Sequence, residues 1–156
     1  MDRQERKFRI EQLKRKIKKE VQKNTLFDEC ISALGENTRI YSLNESVRVV
    51  AMLVMSFPFT NWGRVDWNSV EKKITIHDIN EIRNLKEFEN EHEVLLIWDE
   101  MNLPVVESTL AKILTHIEDV VAVGFNTWMI NLDMNKIIEI HHDGEIIAGI
   151  HCANLS

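Results

Sequence analysis

The densest group of side chains suited to chemistry lies near the C-terminus, at Glu139, His141, His142, Asp143 and Glu145. Imidazole and carboxylate groups are suitable ligands for zinc or manganese. Successive residues of a strand point to opposite faces, so we expect His141 and His142 to point apart and Glu139 to share a face with His141. That face supplies two ligands, and a catalytic zinc site needs three. We therefore expect no bound metal and interpret the group as the polar end of a hairpin.

A metal-dependent hydrolase remains the first alternative, with a third ligand such as His77 or His116 supplied from elsewhere in the chain. Other catalytic patterns are missing from the sequence. It contains no G-x-S-x-G elbow, no P-loop and no G-x-G-x-x-G motif. Neither Cys30 nor Cys152 lies in a C-x-x-C pair, and we expect both thiols to be reduced and partly buried. We therefore expect no catalytic residues and no cofactor.

A second group of candidate functional residues combines tryptophans with a charged pair, and most of it lies in one short segment. Trp62, Arg64, Asp66 and Trp67 follow one another closely, and Trp128 lies further along the chain. Trp and Arg are over-represented where protein partners dock, but Trp is also common in cores. Both interpretations stay open for these residues.

Charge is distributed very unevenly along the chain. The net charge is −6, yet residues 1–24 hold ten Lys/Arg and four Asp/Glu, a net of +6 that leaves −12 on residues 25–156. An acidic body of this kind repels phosphate groups and favours a basic partner. The basic segment keeps a second alternative open, a protein that binds nucleic acid or a scaffold.

The elements that must position these groups begin with a basic amphipathic helix over residues 3–23, with apolar residues at Ile10, Leu13, Ile17 and Val21. Asn24 and Thr25 are expected to interrupt it before a second short helix that ends at Gly35. A third helix, capped by Asn44 and running to about residue 56, is apolar nearly all round and is expected at the centre of the core. A strand is the alternative for this segment, because Val is abundant there. The pair of Asp78 and Glu81 predicts a further helix over residues 79–88.

The C-terminal half predicts most of the sheet. Residues 94–98 and 120–125 are apolar runs typical of buried strands, and the helical pattern of residues 104–117 between them predicts a right-handed β-α-β crossover. Residues 128–132 alternate as in a strand, and Asp143-Gly144 predicts a hairpin between strands 137–142 and 145–150. Short strands are also expected at 39–43 and 74–76. The fold class is therefore α+β, with a mixed sheet of five to six strands that ends in an antiparallel hairpin.

Size and hydropathy indicate one domain over residues 1–156. The longest uninterrupted apolar run, residues 49–55, is far shorter than the roughly 20 residues that cross a bilayer. The first 24 residues lack the apolar stretch of a signal peptide. We expect a cytoplasmic protein without a membrane partner.

Three runs, LIWD at 96–99, GFNTW at 124–128 and IIEIHHDGEI at 137–146, together resemble small bacterial immunity proteins. Such proteins are encoded beside polymorphic or contact-dependent toxins and include the SUKH superfamily. The resemblance covers about residues 92–150 and does not extend to the basic helix. It implies a protein that binds and neutralises a toxin without a cofactor.

The leading hypothesis is thus a non-enzymatic protein-binding module that neutralises a basic toxin. Nucleic acid is not the expected partner, and a homo-oligomer is compatible with the pattern. The expected contacts are carboxylates near strand ends and one aromatic anchor: Asp99, Glu100, Trp128, Asp133, Asp143 and Glu145.

Overall fold

The computed structural model describes residues 2–100 and 102–151, with the backbone alone for residues 16–24. In these residues four α-helices and three short 3-10 helices surround a seven-stranded sheet. The helices are α1 (Arg3–Leu34), α2 (Leu43–Ser56), α3 (Leu110–Thr115) and α4 (Ile117–Val121), and the 3-10 helices are Trp67–Ser69, Ile79–Asn84 and Lys86–Phe88. The strands are β1 (Arg39–Ile40), β2 (Lys72–Ile76), β3 (Glu93–Trp98), β4 (Val106–Thr109), β5 (Asn126–Asn131), β6 (Lys136–His141) and β7 (Ile146–Ile150). The α+β class is confirmed.

Helix α1 is continuous, and the prediction of a break at Asn24 and Thr25 is wrong. Neither residue is Gly or Pro, so each lowers helix stability by less than about 1 kcal/mol. The predicted end is correct, because Gly35 adopts φ 71° and its N–H bonds the Ile31 carbonyl. Of the predicted apolar stripe, Ile10 and Leu13 are exposed, while the side chains of residues 17 and 21 lie outside the described residues.

Helix α2 begins two residues earlier than predicted and lies at the surface. Ser42, not Asn44, is its cap, and Ser42 and Glu45 form a reciprocal capping box. The helix does not occupy the centre of the core. One side buries Ser46, Val49 and Leu53. Its other side exposes apolar residues, namely Leu43, Val47, Val50, Met52, Val54 and Met55.

The sheet has the strand order β1-β4-β3-β5-β6-β7-β2, and all six pairings among the described strands are antiparallel. The central strand, β5, pairs with β3 on one side and with β6 on the other. The predicted strand at residues 120–125 is wrong, since helix α4 covers Ile117–Val121 and β5 begins only at Asn126. Val120 and Val123 are both buried at a helical spacing of three, which accounts for the apolar residues at these two positions.

The segment that precedes helix α3 also differs from prediction. Residues 106–109 form strand β4, and the helix starts only after Thr109, whose side chain accepts a hydrogen bond from the Lys112 N–H. The parallel crossover is therefore replaced by an antiparallel β3-β4 pair followed by two short helices. The helix predicted over residues 79–88 consists of two 3-10 helices, the first capped by Asp78.

The C-terminal hairpin is present as predicted, with Ile140 opposite Ile146. Its turn is longer than two residues, because the His141 N–H bonds the Glu145 carbonyl and only Gly144 has a positive φ, 95°. A glycine in this conformation after a type I turn forms a bulged hairpin. The turn therefore projects Asp143 and Glu145 beyond the sheet.

The sheet separates two apolar layers. One face packs against the C-terminal part of α1, against α3 and α4, and against the 3-10 helices of residues 79–88, around Leu96, Met129 and Ile138. The other face packs against α2 and the segment 57–70, around Ile97, Ile130 and Ile137. The prediction that helices cover at least one face is thus confirmed on both.

Candidate functional site

Glu139 is the centre of a buried polar network on the face covered by α2 and the segment 57–70. Its side chain lies in the middle of β6, opposite Trp128, and is 1% exposed. One carboxylate oxygen, Oε1, accepts bonds from Arg64 Nε at 3.0 Å, Arg64 Nη2 at 2.8 Å and Trp67 Nε1 at 3.1 Å. The other, Oε2, accepts bonds from the Val65 N–H at 2.9 Å and Trp128 Nε1 at 2.9 Å. Both oxygens of this carboxylate thus act as hydrogen-bond acceptors for groups of the same chain.

Arg64 connects this buried network to the surface. Burial of the guanidinium opposes its charged form, but the hydrogen bonds to Glu139 and the charges of Glu139 and Glu145 outweigh burial and raise the pKa of Arg64. Glu145 lies 3.4 Å from Arg64 Nη2 and has a half-exposed side chain. The segment 57–70 is therefore fixed to β6 inside the protein and to the start of β7 at its edge.

Four of the five predicted contact carboxylates share one end of the sheet. Asp99 and Glu100 follow β3, and the Asp99 N–H bonds the carbonyl of Asn126 at the start of β5. Asn126 in turn pairs with His141 at the end of β6, from which the turn bearing Asp143 and Glu145 projects. Asp99, Asp143 and Glu145 are exposed. We call these four carboxylates the acidic end.

Asp133 lies at the opposite end of the sheet. It follows β5, which runs antiparallel to β3 and β6 and spans six residues. At about 3.4 Å per residue, the strand separates Asp133 from the acidic end by roughly 17–20 Å. The structure therefore does not bring all the predicted contact residues together.

The tryptophans divide between core and surface. Trp128 and Trp67 are 5% and 9% exposed and donate to Glu139, so the indole of Trp128 offers little surface to a partner. Trp62 is 77% exposed. At the acidic end Asn126 Oδ1 is buried and accepts no hydrogen bond from the described residues.

The histidines of the hairpin do not point apart as expected. Strand β6 ends at His141, so strict alternation does not extend to His142, and the two ring centroids lie 4.1 Å apart. His141 Nδ1 lies 2.8 Å from Asp143 Oδ1. A backbone hydrogen bond from Glu145 and the contact with His141 lower the pKa of Asp143. Among residues 2–100 and 102–151, no group of three or more His, Cys, Asp or Glu is placed to hold a metal ion.

Cys30, a residue of α1, is a free thiol buried in the apolar layer on that side of the sheet, and burial together with nearby Asp119 raises its pKa to about 12. A thiol in this state is a weak nucleophile. Cys152 lies outside the described residues. In the described part of the chain, no helix combines the length and hydropathy needed to span a membrane.

Sequence reasoning identified most of these residues separately but missed the Arg64–Glu139 pair, whose members are 75 residues apart. One signal was present. Glu139 stands within the run Ile137-Ile138-Glu139-Ile140, and a carboxylate inside a buried strand requires partners.

Comparison with known proteins identifies the family to which this chain belongs. A family model described as CdiI immunity protein, EcoliA0-like, matches residues 24–149. The chain belongs to this family of immunity proteins, which are associated with contact-dependent toxins. The match confirms the resemblance seen in residues 92–150, extends it toward the N-terminus and leaves the basic segment outside. A search of curated proteins found no match.

Proposed function

We propose that the protein is a non-enzymatic immunity protein that neutralises a basic toxin domain by binding it at the acidic end of the sheet. The observation that carries this proposal is the family match over residues 24–149. The contact residues are Asp99, Glu100, Asp143 and Glu145. Asp133 is left out because it lies at the far end of the sheet, and Trp128 because it is buried.

Charge supports a basic partner. Residues 25–156 carry a net charge of −12, and three exposed carboxylates lie together where β3 ends and β6 turns into β7. Complementary fields of this kind raise association rates and select against partners of the wrong charge. Nucleic acid is disfavoured as a partner, because its phosphates would be repelled by the negative charge of residues 25–156.

The arrangement of Glu139 supports a binding role over a catalytic one. A general base or a metal ligand must offer a lone pair to a substrate or an ion. Glu139 is fully buried and receives five hydrogen bonds from within the chain. It therefore acts as a structural anchor.

The proposed place of action is the cytoplasm, a compartment that keeps thiols such as Cys30 reduced.

The test uses the toxin domain encoded beside this gene in its host, with association measured by surface plasmon resonance across a range of salt concentrations. Reversing two charges at the acidic end, in Asp99→Lys/Glu145→Lys, should slow association by about tenfold or more at low salt. Glu93→Lys/Asp133→Lys makes the same charge change at the far end and should have a much smaller effect. Equal effects of the two double variants would contradict the assigned surface, and absence of any complex would contradict the function.

A further inference from the structure

Trp62 is set apart from the other tryptophans by its exposure. It is 77% exposed, whereas Trp67, Trp98 and Trp128 are 9%, 4% and 5% exposed. A large aromatic ring held in water is unfavourable for an isolated chain, and Trp is the residue most enriched among the few that dominate binding energy at protein interfaces. The ring of Trp62 is therefore available to a partner.

The loop that carries Trp62 is tightly closed. Phe59 and Val65 form an isolated antiparallel bridge. Between them the Thr60 N–H bonds the Arg64 carbonyl at 2.7 Å, and the Gly63 N–H bonds the Thr60 carbonyl at 3.2 Å. Gly63 has φ 86°, a conformation that most other residues rarely adopt. The backbone on both sides of Trp62 is thus fixed before any partner arrives, which lowers the entropy lost on binding.

The base of the loop is attached to the sheet. Arg64, Val65 and Trp67 all donate to the buried carboxylate of Glu139. Three anchor points within five residues of Trp62 attach this loop to the sheet, and Glu139 is the positioning residue that holds it there.

The surroundings of Trp62 have the chemistry that a cationic side chain requires. A shallow open depression of 490 Å³ is lined by Trp62 together with Asp66 and Asn68. Arg64 also lines this depression, but its positive charge is paired with Glu139 and Glu145, and Asp66 adds a carboxylate to the same lining. Cations bind favourably over the face of an indole, and long basic side chains place their apolar stems along apolar surface.

We propose that Trp62 and Asp66 form a receptor site for a Lys or Arg side chain of the toxin domain, with the indole as the central aromatic anchor of the interface. This inference rests on the proposed function. It adds an aromatic contact to the proposed interface, which the four carboxylates of the acidic end do not provide. Arg64, shared between Glu139 and Glu145, makes the site continuous with the acidic end.

The first measurement is the affinity of the full chain for the neighbouring toxin domain. Trp62→Ala should weaken binding by about 30-fold or more, and Trp62→Phe, which keeps an aromatic face, should recover part of it. Asp66→Asn, which keeps an acceptor for the Ser69 hydroxyl, should weaken binding several-fold at low salt. Leu132→Ala removes a half-exposed apolar side chain at the far end of the sheet and serves as the control.

The second measurement is acrylamide quenching of tryptophan fluorescence, which reports mainly on the single exposed indole. The toxin domain should protect the quenchable fraction in the wild type and have little effect in Trp62→Ala. A wild-type complex that Trp62→Ala forms equally well would overturn the site and leave the function standing, whereas no wild-type complex would overturn the function. Protection that appears without toxin as the protein is concentrated would assign the ring to a second copy of the chain and overturn the proposed occupant.

Discussion

At the scale of single residues, Glu139 is the group on which the site depends most. It receives five hydrogen bonds and balances the charge of Arg64 inside the protein. Replacement of Glu139 by Gln keeps the shape of the side chain. It replaces one carboxylate oxygen with an NH₂ group, which is a hydrogen-bond donor and would face the N–H donors that surround Glu139. Breaking a buried ion pair from one side costs about 3–5 kcal/mol. We predict a loss of this order for Glu139→Gln, measured by urea unfolding.

The matched control is Glu145→Gln, which removes the outer carboxylate beside the same Arg64. Its side chain is 44% exposed and the contact is 3.4 Å long, so the cost should stay below about 1 kcal/mol. An unchanged urea midpoint for Glu139→Gln would show that the network is not structural.

Some features of these residues could be predicted from the sequence, and others could not. The hairpin signal correctly located the turn at Asp143 and Gly144, between the paired strands β6 and β7. The pairing of Glu139 with Arg64 was beyond reach, because it depends on how a distant loop folds over the sheet. The exposure of Trp62 and burial of Trp128 were undetermined for the same reason.

At the scale of elements, the segment 57–70 lies against β7 because one residue there lacks a side chain. A Cβ added to Gly149 would meet Trp67 Cζ3 at 2.7 Å, closer than atoms of this kind approach. We predict that Gly149→Ala lowers the free energy of unfolding by about 1–3 kcal/mol, since a rigid buried ring must move. Chemical denaturation measures this loss.

A double-mutant cycle identifies the cause of that loss. Phe at position 67 lacks the outer indole atoms that the new Cβ would strike. The cost of Gly149→Ala should therefore fall by about 1 kcal/mol or more in a Trp67→Phe background. Strictly additive effects would mean that Trp67 does not set the need for glycine.

Elements differ in how well the sequence predicts them. Strand β3 and the final hairpin were predicted because apolar continuity and a turn pair are local signals. Residues 120–125 were mistaken for a strand, since a run of Val does not distinguish a buried strand from a short buried helix. The register and order of seven antiparallel strands depend on long-range pairing that no local pattern contains.

At the scale of the whole molecule, charge separates the N-terminal part of α1 from the rest. Residues 2–15 are all exposed and hold six Lys/Arg and three Asp/Glu, so their removal changes the net charge from −6 to −9. Because little buried surface is lost, we predict that deleting them changes the free energy of unfolding by less than about 1 kcal/mol.

The same deletion separates the two kinds of partner. A basic toxin domain should associate faster at low salt with the more acidic variant, as measured by stopped-flow fluorescence. Tight DNA or RNA binding by the full chain that disappears on deletion would instead support the nucleic-acid alternative.

We have proposed that the protein neutralises a toxin by forming a complex with it. The most direct test titrates the activity of the purified neighbouring toxin domain with increasing amounts of the protein. Inhibition should rise in proportion to complex formation and be complete only near one equivalent. Complete inactivation by a small fraction of an equivalent would show turnover, and inhibition without a complex would show that binding is not the cause; either result would overturn the proposal.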